Sequence, residues 1–237
     1  MMYKAILFDV GDTLIRYTPA SAELYQARLY EIGVSITEED SRRIEQTVEL
    51  CTAEQIYREI HGAPRMDDLD FQKMIDTAVL SDPSVCCVTE KQKKQFSDTW
   101  SLMRQEKVVA DGVFPLLEQL KKSYRLGIIS NYRASLAGYL EEVGLKPYFE
   151  TIIISEIVGY EKPDVRIFNA ALQKMDLQPE ECLYVGDHPF DVLGAKDAGM
   201  DAAWLKTHIE SMPEYIKQKP DYVLTDLNAL PEILHGT

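Results

Sequence analysis

The chain has 237 residues, 46% of them hydrophobic and 27% charged, an ordinary balance for a soluble globular protein with enough chain to bury a full core. Its formal charge of −14 argues against a nucleic-acid surface, and no apolar run approaches the roughly 20 residues of a membrane span. Lys4 leads straight into an apolar run with no cleavable signal, and Cys51, Cys86, Cys87 and Cys182 lack metal-type spacing; they read as reduced thiols of a cytoplasmic protein.

Taken in order, Ala5 to Phe8 is an apolar run without polar alternation, which predicts a strand buried on both faces. From Pro19 to Gly33, Leu24, Ala27, Arg28, Leu29 and Ile32 recur at helical spacing. Thr37 followed by three acids predicts the start of a second helix, which runs to Gly62. Phe71 to Leu80 and Thr89 to Met103 read as two more helices. No strand signal falls between about Arg16 and Gln105, so the first strand is followed by a helical block.

After Val108 the texture changes. Strands are predicted at Leu126–Ile129, Thr151–Ile154, Cys182–Val185, Ala202–Leu205 and Tyr222–Leu224. Helices are predicted at Val113–Leu120, Ala134–Val143, Pro163–Met175, Pro189–Ala198 and Leu227–Leu234. Strands alternating with helices give parallel β-α-β units, an α/β fold in which the helical block is an insertion after the first strand.

Polar residues follow the apolar strands directly: Asp9 after the first, Ser130 and Asn131 after the second, Asp187 after Cys182–Val185. Glu161-Lys162-Pro163 follows Thr151–Ile154 after a short loop. In a parallel sheet these strand ends share one edge, so residues remote in sequence converge there. Asp9 there serves as a nucleophile or a ligand for a hard cation, or else is a turn acid satisfied by backbone N–H groups. Ser130 or Asn131 equally suits a helix cap. Lys162 precedes a helix start, where a cation is disfavoured by about 0.3–1 kcal/mol unless an anion binds. Asp187 and Asp191 flank one turn, and two close carboxylates call for a cation; an all-oxygen set suits magnesium, leaving His188 as a turn residue.

These four clusters, in this order, resemble the motifs of the haloacid dehalogenase-like superfamily, mostly aspartyl-phosphate phosphohydrolases. The resemblance rests on Phe8-Asp9-Val10-Gly11-Asp12-Thr13-Leu14, on Ile129-Ser130-Asn131, on Lys162-Pro163 with Phe168, and on Val185-Gly186-Asp187 through Asp191 to Ala195. It implies a Rossmann-like three-layer core with a mostly parallel sheet, residues 1–16 and 106–237, and an inserted helical cap, residues 17–105. It implies that Asp9 attacks phosphorus, and that Ser130, Asn131 and Lys162 bind the phosphoryl group. Mg2+ is expected on Asp9, the main-chain carbonyl of Gly11 and Asp187, with Asp191 behind them or supporting Lys162. The expected substrate is a small phosphorylated metabolite; the expected hinges lie near Ile15–Thr18 and Lys107–Gly112.

One departure stands out. The family's phosphatases usually carry a second aspartate two residues after the nucleophile, as general acid–base; here that residue is Gly11, and the acid is Asp12. Loss of such a group costs about 10²–10⁴-fold in rate. Three readings remain: Asp12 swings in, the leaving group needs no acid, or catalysis is slow. A 2-haloacid dehalogenase, whose relatives also lack that aspartate, and a non-catalytic binding protein are the alternatives. In the cap, the basic residues Arg16, Arg28, Arg42, Arg43, Arg58, Arg65 and Lys73 read as a solvated face, and Tyr25, Tyr30, Tyr57 and Trp100 as core.

Overall fold

The computed structural model describes residues 3–234, which form two compact units. One gathers residues 3–16, 108–207 and 211–234; the other gathers 17–107 with 208–210. No helix of the described residues is long and apolar enough to cross a membrane. All four cysteines are free thiols.

β1 (Ala5–Phe8) is buried at every residue, as its unbroken apolar run requires. β2 (Ile15–Thr18) follows at once, against the expectation of a strand-free stretch from Arg16. It is four residues long with only Ile15 buried, too short to show a period, and its partner lies far along the chain.

The second unit is helical. α1 (Ser21–Glu31) is followed by α2 (Glu38–Ile60), whose start is fixed by a capping box. The Thr37 hydroxyl accepts from the Asp40 N–H at 3.1 Å, and the Asp40 carboxylate accepts from the Thr37 N–H at 3.1 Å. α3 (Asp68–Leu80) is capped by Asp67, and α4 (Glu90–Asp98) by a second box of Thr89 with Gln92. A 3₁₀ turn at Thr99–Leu102 completes the predicted fourth helix. Tyr25, Leu29, Ile32, Ile44, Val48, Ile75, Val79, Val85 and Phe96 form the unit's core, with Trp100 packed against it.

Two expectations about this unit are corrected. Arg28 is not on a solvated face: it is fully buried, its guanidinium 4.0 Å from the Phe96 ring centroid and 4.6 Å from that of Trp100. Its Nη2 donates to Asp76 at 2.6 Å, and its Nε to the Thr99 hydroxyl at 3.0 Å. Arg28 falls on the apolar stripe with Leu24, Tyr25, Leu29 and Ile32, so helical geometry takes it inward, where Asp76 neutralises it. Tyr30, on the opposite face of the same helix, is 70% exposed and is not core.

β3 (Glu106–Val109) pairs with β2. The other unit then alternates α5 (Val113–Leu120), β4 (Arg125–Ser130), α6 (Leu136–Glu142), β5 (Thr151–Ile154) and a short α7 (Ser155–Val158). It continues through α8 (Val165–Met175), β6 (Cys182–Gly186), α9 (Pro189–Asp197), β7 (Asp201–Leu205), β8 (Tyr222–Leu224) and α10 (Leu230–Leu234). α8 begins two residues later than Pro163, because the Asp164 side chain takes the N-cap and accepts from the Arg166 N–H. The five pairings within the six-stranded sheet are all parallel, in the order β5-β4-β1-β6-β7-β8. This is the α/β, Rossmann-like architecture expected. β1 and β6 are buried throughout, so helices cover both faces.

Phe8 lies opposite Ile128 on one side and Val185 on the other. The chain therefore leaves β1, β4 and β6 at one edge. The connections run from β1 toward β4 and β5, then from β6 toward β7 and β8. The order reverses between β1 and β6, which opens the crevice where α/β sheets bind ligands.

Candidate active site

Asp9 is the first residue past β1, held by its N–H donating to the Val185 carbonyl at 2.9 Å. A tight turn follows. The Val10 carbonyl accepts from the N–H groups of Thr13, Leu14 and Ile15, and Gly11 bridges to Ile15. Asp12 sits in the left-handed region at φ 50°, a conformation aspartate tolerates better than most side chains.

Lys162 is buried against the strand ends. Its Nζ donates to Asp9 Oδ1 at 2.6 Å, to Asp191 Oδ1 at 2.6 Å and to the Tyr184 hydroxyl at 3.1 Å. Two carboxylates thus meet the ammonium of the lysine that precedes α8. The Asn131 amide clamps the Lys162 main chain: Nδ2 donates to its carbonyl at 3.0 Å, and Oδ1 accepts its N–H at 2.7 Å. Ser130 is buried at the end of β4, on the same edge.

Asp191 is 1% exposed and lies in the first turn of α9. Its second oxygen accepts the His188 N–H at 2.9 Å. Gly186 makes this approach possible, since a Cβ there would stand 2.3 Å from Asp191 Oδ2. His188 caps α9, its Nδ1 accepting from the Phe190 N–H at 3.2 Å; burial pushes its ring down to about 4, so the imidazole is neutral.

Asp187 Oδ2 accepts from the Thr207 hydroxyl at 2.9 Å, and Oδ1 from Thr13 at 3.4 Å. The Trp204 indole N–H donates to the Asp187 carbonyl at 2.7 Å. Tyr184, Thr207 and Trp204 were not among the residues expected here. Trp204 stands one residue before the end of β7 and Thr207 two residues past it, on the same sheet edge, which is the signal that points to them.

Carboxylate oxygens of Asp9, Asp187 and Asp191 lie within 4.8 Å of one another. The Lys162 ammonium pairs with two of these carboxylates and Asp187 is the third, a surplus of negative charge. Burial raises the Asp9 carboxyl to about 6 although Lys162 pulls it down. Burial, then Asp191, Asp9 and Asp12, hold the Asp187 carboxyl well above the usual range. The three side chains of this cluster offer only carboxylate oxygens as ligands, and a hard divalent cation among them would offset the repulsion; the residues fit magnesium.

Residues 3–199 match the family model described as haloacid dehalogenase-like hydrolase. The chain belongs to this family and is a hydrolase. It is 27% identical to the glyceraldehyde 3-phosphate phosphatase of Methanothermobacter thermautotrophicus, across 98% of this chain and all of that one. The magnesium-bound structure of the HAD-hydrolase YfnB of Bacillus subtilis superposes with a TM-score of 0.64 at 23% identity, over 99% of both chains. The 2-haloacid dehalogenase of Pseudomonas syringae shares the fold with a TM-score of 0.57 at 24% identity, again over 99% of both.

Proposed function

We propose that the protein is a magnesium-dependent phosphohydrolase that cleaves a small phosphorylated metabolite through an aspartyl-phosphate on Asp9. The observation that carries this reading is the cluster itself: one buried lysine set between a strand-end carboxylate and Asp191, with a third carboxylate beside them. The relationship to a glyceraldehyde 3-phosphate phosphatase along the whole chain supports it.

In this reading a carboxylate oxygen of Asp9 bonds to phosphorus while the bond to the leaving oxygen breaks, and that oxygen keeps the electron pair. Lys162 turns a proton from Asp9 to a phosphoryl oxygen, and Ser130 holds another. Asp191 keeps the ammonium charged, and Asn131 fixes the main chain that carries it. Water then bonds to phosphorus as the bond from phosphorus to Asp9 breaks; the electron pair returns to the Asp9 carboxylate, one proton of the water stays on the phosphate and the other leaves to solvent. Asp9, Asp187 and the Gly11 carbonyl would hold Mg2+, which supplies charge neutralisation for the phosphoryl oxygens. The helical unit is proposed as the substrate-selecting cap. Gly11 leaves the leaving oxygen without the usual acid, so Asp12 or an already acidic leaving group fills that need.

The test is phosphate release from p-nitrophenyl phosphate and acetyl phosphate, with and without magnesium, beside Asp9→Asn. Magnesium-dependent turnover lost in the variant is the expected result; turnover surviving the substitution sinks the aspartyl-phosphate. Gly11 keeps a 2-haloacid dehalogenase as the second reading, and chloride release from chloroacetate without metal would select it.

A further inference from the structure

Tyr184 lies inside β6, one residue before the Val185-Gly186 step that leads to Asp187. It is fully buried, and its ring packs edge-on against Phe168, with centroids 5.1 Å apart and planes at 69°. A phenylalanine would make that packing as well, so packing does not account for the hydroxyl. The hydroxyl has three neighbours: the Ile129 carbonyl at 2.9 Å, Lys162 Nζ at 3.1 Å and Asp191 Oδ1 at 3.1 Å.

The proton inventory fixes the direction of each bond. An ammonium only donates, whereas a carbonyl and an ionised carboxylate only accept. The phenol oxygen therefore accepts from Lys162 and turns its own proton to Ile129 and Asp191. Lys162 has three protons, and they meet three acceptors: Asp9, Asp191 and Tyr184. Two of these lie on the β6–α9 segment and stay in place during any reaction at Asp9. The third is the carboxylate that reacts.

We infer that Tyr184 is a positioning residue for Lys162, holding the ammonium on station while its third proton passes from Asp9 to the incoming phosphoryl group. The inference rests on the phosphohydrolase reading. With the phenol in place, an ammonium released by Asp9 keeps two fixed partners. Without it only Asp191 remains, and a single opposite charge draws the ammonium toward itself and away from phosphorus. Charge stabilisation in the transition state depends on donors already aimed at the oxygens, so the loss falls on turnover and not on ground-state binding.

The experiment is Tyr184→Phe assayed on p-nitrophenyl phosphate with magnesium, beside wild type. A misplaced group costs up to about 10²-fold, so kcat is expected to fall about 10- to 100-fold. KM should stay within about threefold, and inhibition by orthovanadate, a transition-state mimic, should weaken by about the factor lost in kcat/KM. A kcat within about threefold of wild type overturns the inference, and so does a loss confined to KM. Replacing Tyr184 by 3,5-difluorotyrosine keeps ring and hydroxyl but makes the oxygen a poorer acceptor, which covers the case of a misfolded Phe variant. It should give an intermediate kcat; wild-type kcat overturns the inference. A wild-type protein that releases no phosphate removes the underlying reading, and this inference with it.

Discussion

Each unit buries one long cation, and the two are treated differently. Arg28 in the helical unit meets one carboxylate, one hydroxyl, one carbonyl and two aromatic faces. Lys162 in the sheet unit meets two carboxylates and a phenol, with Asp187 close by. The first setting is balanced in charge and closed, as a structural pair must be. The second holds three carboxylates against one lysine, and in the proposed function a cation and the oxygens of a phosphoryl group make up the balance. Surplus charge, rather than burial, separates the site from the core.

The comparison is broken most easily at Arg28. Arg28→Met leaves Asp76 buried without its cation, with only the Ser97 hydroxyl still donating to it, and the urea-derived stability of the helical unit should drop by about 3–5 kcal/mol. Arg28→Met with Asp76→Leu should recover most of that loss, because Arg28 Nη1 has no acceptor even in the native unit. A double variant no better than the single one would mean the pair carries more than charge balance. At Lys162 the expected loss is in rate: Lys162→Met should lower kcat about 10²–10³-fold, the cost of removing one preorganised donor. Magnesium should raise its melting midpoint more than that of wild type, since three carboxylates then lack an ammonium; Arg28→Met should show no such gain.

Asp12 sharpens the contrast further out on the site. If Asp12 protonates the leaving oxygen, Asp12→Asn slows alkyl phosphates by about 10²-fold and aryl phosphates far less. Equal effects on the two classes would assign the acid elsewhere or to no residue. The smallest effect is expected at Asp82 in the helical unit. The Arg43 guanidinium beside it, helped by Ser84, holds its carboxyl at about 2, below the ordinary 3.8. A depressed carboxyl contributes stability that is complete above the unfolded value and fades as pH falls through the folded one. Wild type and Asp82→Asn should thus differ in urea midpoint at pH 5 and converge toward pH 2.

The sheet and the charged members of the cluster were legible because each apolar run stops at a polar residue. Asp9, Ser130 and Asp187 need only the rule that parallel strands end on one edge. Tyr184 was not, since a tyrosine inside Cys182–Val185 looks like core until its hydroxyl is traced to Lys162. Asn131 offered a helix cap as readily as a clamp, and only the fold brings the Lys162 peptide to it. Arg28 could have been found from the sequence: it sits on the same helical stripe as Leu24, Tyr25 and Leu29, and its charge alone argued for solvent. β2 and β3 were hidden by being short and by pairing across the whole helical insertion.

The chain has two tryptophans, and the fold gives one to each unit. Trp100 packs on the helical core beside Arg28, whereas the Trp204 indole is bonded to the main chain of Asp187. Their emission therefore labels the two units separately without any added dye. Trp100→Phe leaves a fluorophore bonded to the main chain of Asp187, and Trp204→Phe leaves one packed on the core of the helices.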